Sequence, residues 1–258
     1  GRNAYTNVGT VTIPNTSASD PSSYCNPPAS IAVSKTADPS YTRTFTWEIA
    51  KSVSPAVVNL FEGQNANVGY TVQITRTGQV DSGWQVSGTI NVTNTGSVAV
   101  TINSVADSIS GVASPASVSC PVTLPTSLAA NATLVCTYTS PLPDATQRTN
   151  TATVTYNGSS TATGTAAVTF GQPTTTVNGS VNVQDVYNGG TPETIGTNIS
   201  GNTSIPYTRN VVCGSDLTYV NGVATYPRLN TATIVETNQS ANASMTVNCY
   251  RPSVGKTV

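Results

Sequence analysis

Histidine is absent from this chain of 258 residues, methionine occurs once, tryptophan twice and phenylalanine three times. Without histidine there is no imidazole to serve as a general base near neutral pH or to ligate zinc. Charge is scarce too: Lys, Arg, Asp and Glu make up 8% of residues, with a net charge of −1, against about 25% in ordinary soluble domains. A surface this neutral has no field for holding nucleic acid or an anionic membrane. No stretch approaches the roughly 18 apolar residues of a membrane helix, so no membrane insertion is expected. The 11 acidic residues lie scattered, and neither a Gly-x-Ser-x-Gly elbow nor an Asp-x-Asp-x-Asp-Gly calcium loop occurs. The reading is therefore not an enzyme, with no catalytic residue, metal site or cofactor.

What the chain has in abundance is threonine, 44 residues of it, with serine, asparagine and valine. Branched side chains suit a pleated surface, and hydroxyls and amides wet an extracellular one. Disorder, the usual fate of polar, weakly charged chains, is opposed by a regular alternation of Val, Ile, Tyr and Trp. In Tyr41–Lys51, Phe45, Trp47, Ile49 and Lys51 share one parity and Thr44, Thr46, Glu48 and Ala50 the other. That is a half-buried strand of period two. Further strands are expected over 66–76, 83–94, 98–107, 117–120, 133–139, 149–156 and 161–170, separated by Gly and Pro. After Gly171-Gln-Pro173 come 176–187, 204–213, 218–225, 230–237 and 243–249. No window has helical spacing. The fold class is all-β: two antiparallel Ig-like, Greek-key sandwiches plus an amino-terminal strand segment. The expected boundaries are 1–30 for that segment, 31–171 and 172–250 for the sandwiches, and 251–258 for a linker to a next unit.

The two ends of the chain resemble each other. Asn7, Cys25 and Lys35 recur as Asn230, Cys249 and Lys256, at offsets of 223, 224 and 221. An ordered recurrence of this kind is the mark of a sequence repeat. The later copy follows its own partner strands, residues 174–227, and the earlier copy follows none in this sequence. A strand pair with an uncovered apolar face is unstable in water. Residues 1–30 are therefore expected to complete a neighbouring unit, and the chain reads as one period of a linear array.

Within 40–170, Ala66-Asn-Val-Gly-Tyr-Thr-Val-Gln-Ile74, Ile90-Asn-Val-Thr-Asn-Thr-Gly96, Val118-Ser-Cys120, Leu128–Cys136 and Asn150-Thr-Ala-Thr-Val154 occur in that order. This region resembles the extracellular repeat domain known as "domain of unknown function eleven", found in large surface proteins of bacteria and archaea. The Thr-Asn-Thr-Gly step and the Cys120/Cys136 pair carry most of the likeness. The resemblance implies a β-sandwich, a tandem arrangement, a cell-surface or fibre role and no enzymatic activity. The stretch Gln79–Trp84 departs from it as an apparent insertion, and the second domain departs from it altogether.

Five cysteines without CxxC metal spacing fit disulfides in an oxidising compartment. Cys120 and Cys136 are assigned to one bridge and Cys213 and Cys249 to another, leaving Cys25 unpaired or bonded between molecules. Lys51, on the parity of the core, has two readings. It either snorkels to water at a strand end or forms an intramolecular isopeptide bond to an Asn or Asp, helped by Glu48, Glu62 or Asp107. Asn-x-Ser/Thr sequons stand at Asn15, Asn91, Asn131, Asn157, Asn178, Asn198, Asn202, Asn238 and Asn242 as candidate glycosylation sites.

The expected function is structural: a subunit or repeat of an extracellular filament or cell-surface layer. It would assemble head to tail with copies of itself by β-strand addition, with Val8, Val11, Ile13, Val254 and Val258 as contacts. The alternative is an adhesin or stalk module that binds a glycan or protein partner, for which Trp84 and Tyr219 are the aromatic candidates.

Overall fold

The structure, a computed structural model, describes residues 2–11 and 16–25 as backbone and residues 29–252 in full. The described residues form strands and no helix, so the all-β fold stands. In chain order the strands are β1 (Arg2–Val11), β2 (Thr16–Cys25), β3 (Ile31–Lys35), β4 (Asp38–Ser54), β5 (Val57–Phe61) and β6 (Asn65–Asn94). There follow β7 (Val100–Ile109), β8 (Ser117–Ser119), β9 (Thr126–Leu128), β10 (Thr133–Pro141), β11 (Arg148–Tyr156) and β12 (Ser160–Val168). The last are β13 (Thr175–Val177), β14 (Val181–Tyr187), β15 (Glu193–Ile199), β16 (Thr203–Val212), β17 (Val223–Ile234) and β18 (Ser240–Tyr250).

The chain divides into two units, each made of two stretches of sequence. The first takes residues 1–41 and 83–174, the second 42–82 and 175 onward. This corrects the contiguous boundaries of 31–171 and 172–250. The cause is β6, a single strand of 30 residues whose first part serves the second unit and whose last part serves the first. Gly78, expected to end a strand, lies inside it. Residues 77–80, 82 and 83 are exposed, so the apparent insertion at 79–84 is the stretch of β6 that carries the chain out of one sandwich and into the other.

In the first unit β3, β6, β10 and β8 form one sheet and β12, β11, β7 and β9 the other. Ile90, Val92 and Tyr138 from one sheet meet Ile102, Ala152 and Val154 from the other, all at most 1% exposed. In the second unit β13, β4, β6 and β16 form one sheet and β15, β14, β17, β18 and β5 the other. Its core holds Trp47, Val72, Ile74, Val183 and Ile234 in one cluster and Val68, Tyr70, Met245 and Val247 in another. Alternation drives this directly: along β10 every second residue is buried, and along β14 Val181, Val183 and Asp185 are buried.

Among the described strands two pairings are parallel rather than antiparallel. They are β13 on β4, with Thr175 opposite Thr42, and β18 on β5, with Thr246 opposite Val57. The expected strand 218–225 does not form. Asn221 and Gly222 take φ of 51° and 79°, and the Asn-Gly pair turns the chain between Val220 and Val223 before β17 starts.

At the amino end β1 and β2 pair with each other, and no other described strand pairs with either. Their register matches that of β17 and β18 after a shift of 223. Asn7 faces Asp20 as Asn230 faces Ala243, and Arg2 faces Cys25 as Thr225 faces Asn248. The repeat read from sequence is thus also a repeat of hairpin geometry.

Candidate functional site

Each unit buries a lysine, an aspartate and an asparagine at positions where strand alternation calls for an apolar residue; the first unit also buries Asn94, which is satisfied by the Val98, Leu128 and Ala129 carbonyls. In the first unit Lys35 follows Ile31 and Val33 on the inward parity of β3. Asp107 takes its turn between Ile102 and Ile109 on β7, and Asn150 precedes Ala152 and Val154 on β11. Asp107 lies opposite Ala152, and Asn150 lies opposite Ile109. The two polar residues therefore share a face on adjacent strands, one diagonal step apart. Lys35 Nζ donates to Asp107 Oδ1 at 2.5 Å, and both side chains are wholly shielded from solvent. The amine also lies 4.1 Å from the centre of the Tyr138 ring.

The second unit repeats this constellation. Lys51 follows Trp47 and Ile49 on β4, Asp185 follows Val183 on β14, and Asn230 precedes Ala232 and Ile234 on β17. Asp185 lies opposite Ala232 and Asn230 opposite Tyr187, the same offset as in the first unit. Lys51 Nζ donates to Asp185 Oδ1, and again neither side chain meets solvent. The Tyr207 hydroxyl joins them: it receives Lys51 Nζ at 2.6 Å and Asn230 Nδ2 at 3.1 Å, and donates to Asp185 Oδ1 at 2.8 Å. Arg209 bonds Asp185 Oδ2 at 2.9 Å and Glu193 at 2.8 Å.

Burying such ions is costly, several kcal/mol each even when they are paired. Burial pushes both lysine amines below their usual value, and the facing carboxylates pull them part of the way back. The asparagines are stranger. Both are 0% exposed, yet no well-formed hydrogen bond reaches either polar atom of Asn150, which lies beside the Tyr138 hydroxyl, nor Oδ1 of Asn230 or Oδ2 of Asp107. Buried polar atoms are nearly always satisfied, so two incompletely matched carboxamides in sites that also bury an amine require an explanation.

Lys51 therefore does not snorkel to water. Its carboxylate partner is Asp185 rather than Glu48, which is exposed, Glu62, which pairs with Arg251 at 2.6 Å, or Asp107, which belongs to Lys35. Sequence reasoning missed Lys35, Asp107 and Asn150 as a set, and Asp185 and Asn230 as partners of Lys51. The signal was present: Asn-Thr-Ala-Thr followed by Val or Ile occurs at 150–154 and 230–234, and Lys-x-x-x-Pro at 35–39 and 51–55.

The assigned bridges Cys120–Cys136 and Cys213–Cys249 both form, which marks an oxidising, non-cytoplasmic environment. Cys25 ends β2, opposite Arg2. Val8 and Val11 lie on β1, while Ile13, Asn15, Val254 and Val258 fall outside the described residues. Trp84 packs into the first core, stacked on Tyr41 at 4.2 Å and edge-on to Phe170 at 4.8 Å. Tyr219 lies beneath Arg251, at 4.2 Å. Among the sequons, Asn131, Asn157, Asn178, Asn198 and Asn238 have φ between 46° and 63°. Asparagine tolerates this left-handed region better than other side-chain-bearing residues, which gives these five a turn-forming role. Asn202 and Asn242 are exposed, and Asn91 is half-buried on a central strand. Among the described residues no cluster of three or more ligating side chains could hold a metal ion.

Comparison with protein-family models finds no match, and comparison with curated proteins finds none. The likeness to the extracellular repeat domain thus rests on the residues quoted above.

Proposed function

We propose that the chain is a structural subunit or repeat of an extracellular filament or surface layer, in which the β1–β2 hairpin completes a sandwich belonging to a neighbouring copy. The observation that carries this reading is the hairpin's register. β1–β2 reproduces β17–β18, including the strand position of Asn230 at Asn7, but lacks the strands that flank the later hairpin. In the second unit β14 pairs with β17 and β5 pairs with β18. A hairpin with neither neighbour is marginal in water; in another copy β14 and β5 already hold β17 and β18, so the hairpin would add at an edge of that copy's sheet, β15 or β5. Strand addition supplies main-chain hydrogen bonds along that edge, and a head-to-tail contact that does not close yields a fibre. Low charge, two disulfides and the absence of a catalytic constellation in the sequence support a structural rather than an enzymatic role.

The test is removal of residues 1–30. The truncated chain should remain folded and monomeric in sedimentation or light scattering, while the full chain associates and forms regular fibres by electron microscopy. Polymerisation of the truncated chain would exclude strand donation by this segment.

A further inference from the structure

We propose that each unit seals itself with an amide bond between its buried lysine and asparagine, Lys35 to Asn150 and Lys51 to Asn230, with Asp107 and Asp185 carrying the proton. The inference concerns the single chain and holds whether or not copies assemble.

Three observations converge on it. The same three residue types occur twice, at the same strand offset, in two units whose surroundings differ. In each, lysine and aspartate side chains are in contact and wholly dry. In each, the carboxamide is buried with unmatched polar atoms. A purely structural ion pair would not need a stranded carboxamide beside it, since an apolar residue of similar size would cost less. In the second unit the reacting groups hang from one atom: Lys51 Nζ at 2.6 Å and Asn230 Nδ2 at 3.1 Å from the Tyr207 hydroxyl.

The chemistry balances without a cofactor. In the dry core a proton passes from Nζ to the aspartate, leaving a neutral amine and a neutral acid. The lone pair of Nζ attacks Cγ of the asparagine, forming a C–N bond. A second proton moves from Nζ through the carboxyl group to the asparagine Nδ2. The Cγ–Nδ2 bond then breaks and ammonia leaves, so that a secondary amide and a protonated aspartate remain. Two buried charges are removed, and the loss of ammonia to solvent draws the step forward. Holding amine and carboxamide in one dry site, in the second unit on a single hydroxyl, supplies the effective concentration that an uncatalysed amine–amide exchange lacks.

Mass spectrometry of the reduced, denatured full-length chain tests this directly. Each bond removes one ammonia, about 17 Da, so the chain should fall about 34 Da below its sequence mass. Digestion should yield branched peptides joining 35 to 150 and 51 to 230. Asp107→Ala should abolish only the first branch and Asp185→Ala only the second, with no need for the variants to be as stable as the parent. An unshifted mass overturns the proposal. A deficit of about 36 Da with branches at Asp107 and Asp185, the signature of lost water, overturns asparagine as the acyl partner. Branches that persist in the alanine variants overturn the role of the aspartates.

Discussion

The two units place the same three buried residues at the same register but surround them differently. In the first, the tyrosine above the lysine is Tyr138 on β10, and it faces Gly88 on β6. Its ring covers the amine, while its hydroxyl donates to the Thr36 carbonyl at 2.7 Å with Asn150 close by, and makes no bond to the lysine or aspartate. In the second, Tyr207 on β16 faces Tyr70 on β6, stacked at 5.7 Å. Its hydroxyl reaches the lysine, aspartate and asparagine together. One glycine-for-tyrosine exchange across the pairing thus accompanies a rerouting of the hydroxyl. The second unit also admits Arg209, 20% exposed at its side chain, as a second cation on the aspartate. Strand pairing fixes the reacting triad, and the layer around it is free to vary. That layer decides how many polar atoms are satisfied.

The largest contrast should come from removing the carboxylates. Asp185→Asn leaves Lys51 facing an uncharged group and takes from Arg209 one of its two carboxylates, Glu193 remaining, and it also blocks amide formation. Asp107→Asn leaves Lys35 alone. Removing one partner of a buried pair costs about 3–5 kcal/mol, so the second unit should lose stability near or beyond the upper end of that range and the first near the lower. Trp47 lies in the second unit and Trp84 in the first, so tryptophan fluorescence during denaturant unfolding reads them separately. Equal losses would show that Arg209 adds no burden to the buried site.

Much of the fold was legible in the sequence, and the reasons for success and failure are specific. Period-two alternation located Phe45–Lys51 and most other strands because burial on one face forces that pattern. The same logic missed the continuity of β6. Gly78 looks like a turn, but a glycine in an exposed strand needs no turn, and tertiary pairing at both ends of β6 keeps it extended. The interleaved units were hidden for a related reason, since composition does not change where a strand leaves one sandwich for the next. Lys51 stood out because it broke the alternation at the end of an otherwise apolar face. Lys35 broke a shorter one, Ile31 and Val33, too brief to attract notice. Asp185 and Asn230 were invisible as partners, because no local pattern says that β4 faces β14 and β17 across a core.

The tyrosine exchange gives the next contrast. A Cβ on Gly88 would sit 2.5 Å from the Thr36 carbonyl oxygen and 2.9 Å from the Tyr138 ring. The backbone contact cannot be relieved by a rotamer change, so β3 must shift away from β6. Gly88→Ala should cost the first unit about 1–3 kcal/mol, as overpacking of a filled core does, and leave the Trp47 transition unmoved. It should also reduce the branched 35–150 peptide, because Lys35 sits one residue from Thr36. No change in either would mean that the close approach of β3 is not needed to seat the lysine.

Alkaline titration should separate the units by the smallest margin. Burial raises the Tyr138 hydroxyl to about 12 in the first unit and Tyr70 to about 12 in the second, where burial raises Tyr207 further and Tyr187 also. An unfolded tyrosine ionises near 10, so above that pH the unfolded chain sheds protons that the folded units keep. Stability is intact below about 10 and is lost as pH climbs toward the folded values. With these three and Tyr219, also raised, against one, the Trp47 transition should weaken more steeply than the Trp84 transition. A lysine left as an amine acts in the opposite sense: its folded value is lowered, so stability grows as pH rises toward the unfolded value of 10.5. Lysines consumed in amide bonds contribute nothing, and the parent chain should show only the tyrosine decline. Asn150→Ala restores a free amine at Lys35, and the first unit should then gain stability on approaching pH 10 before declining. A parent chain that already shows that rise has an untethered lysine in its first unit.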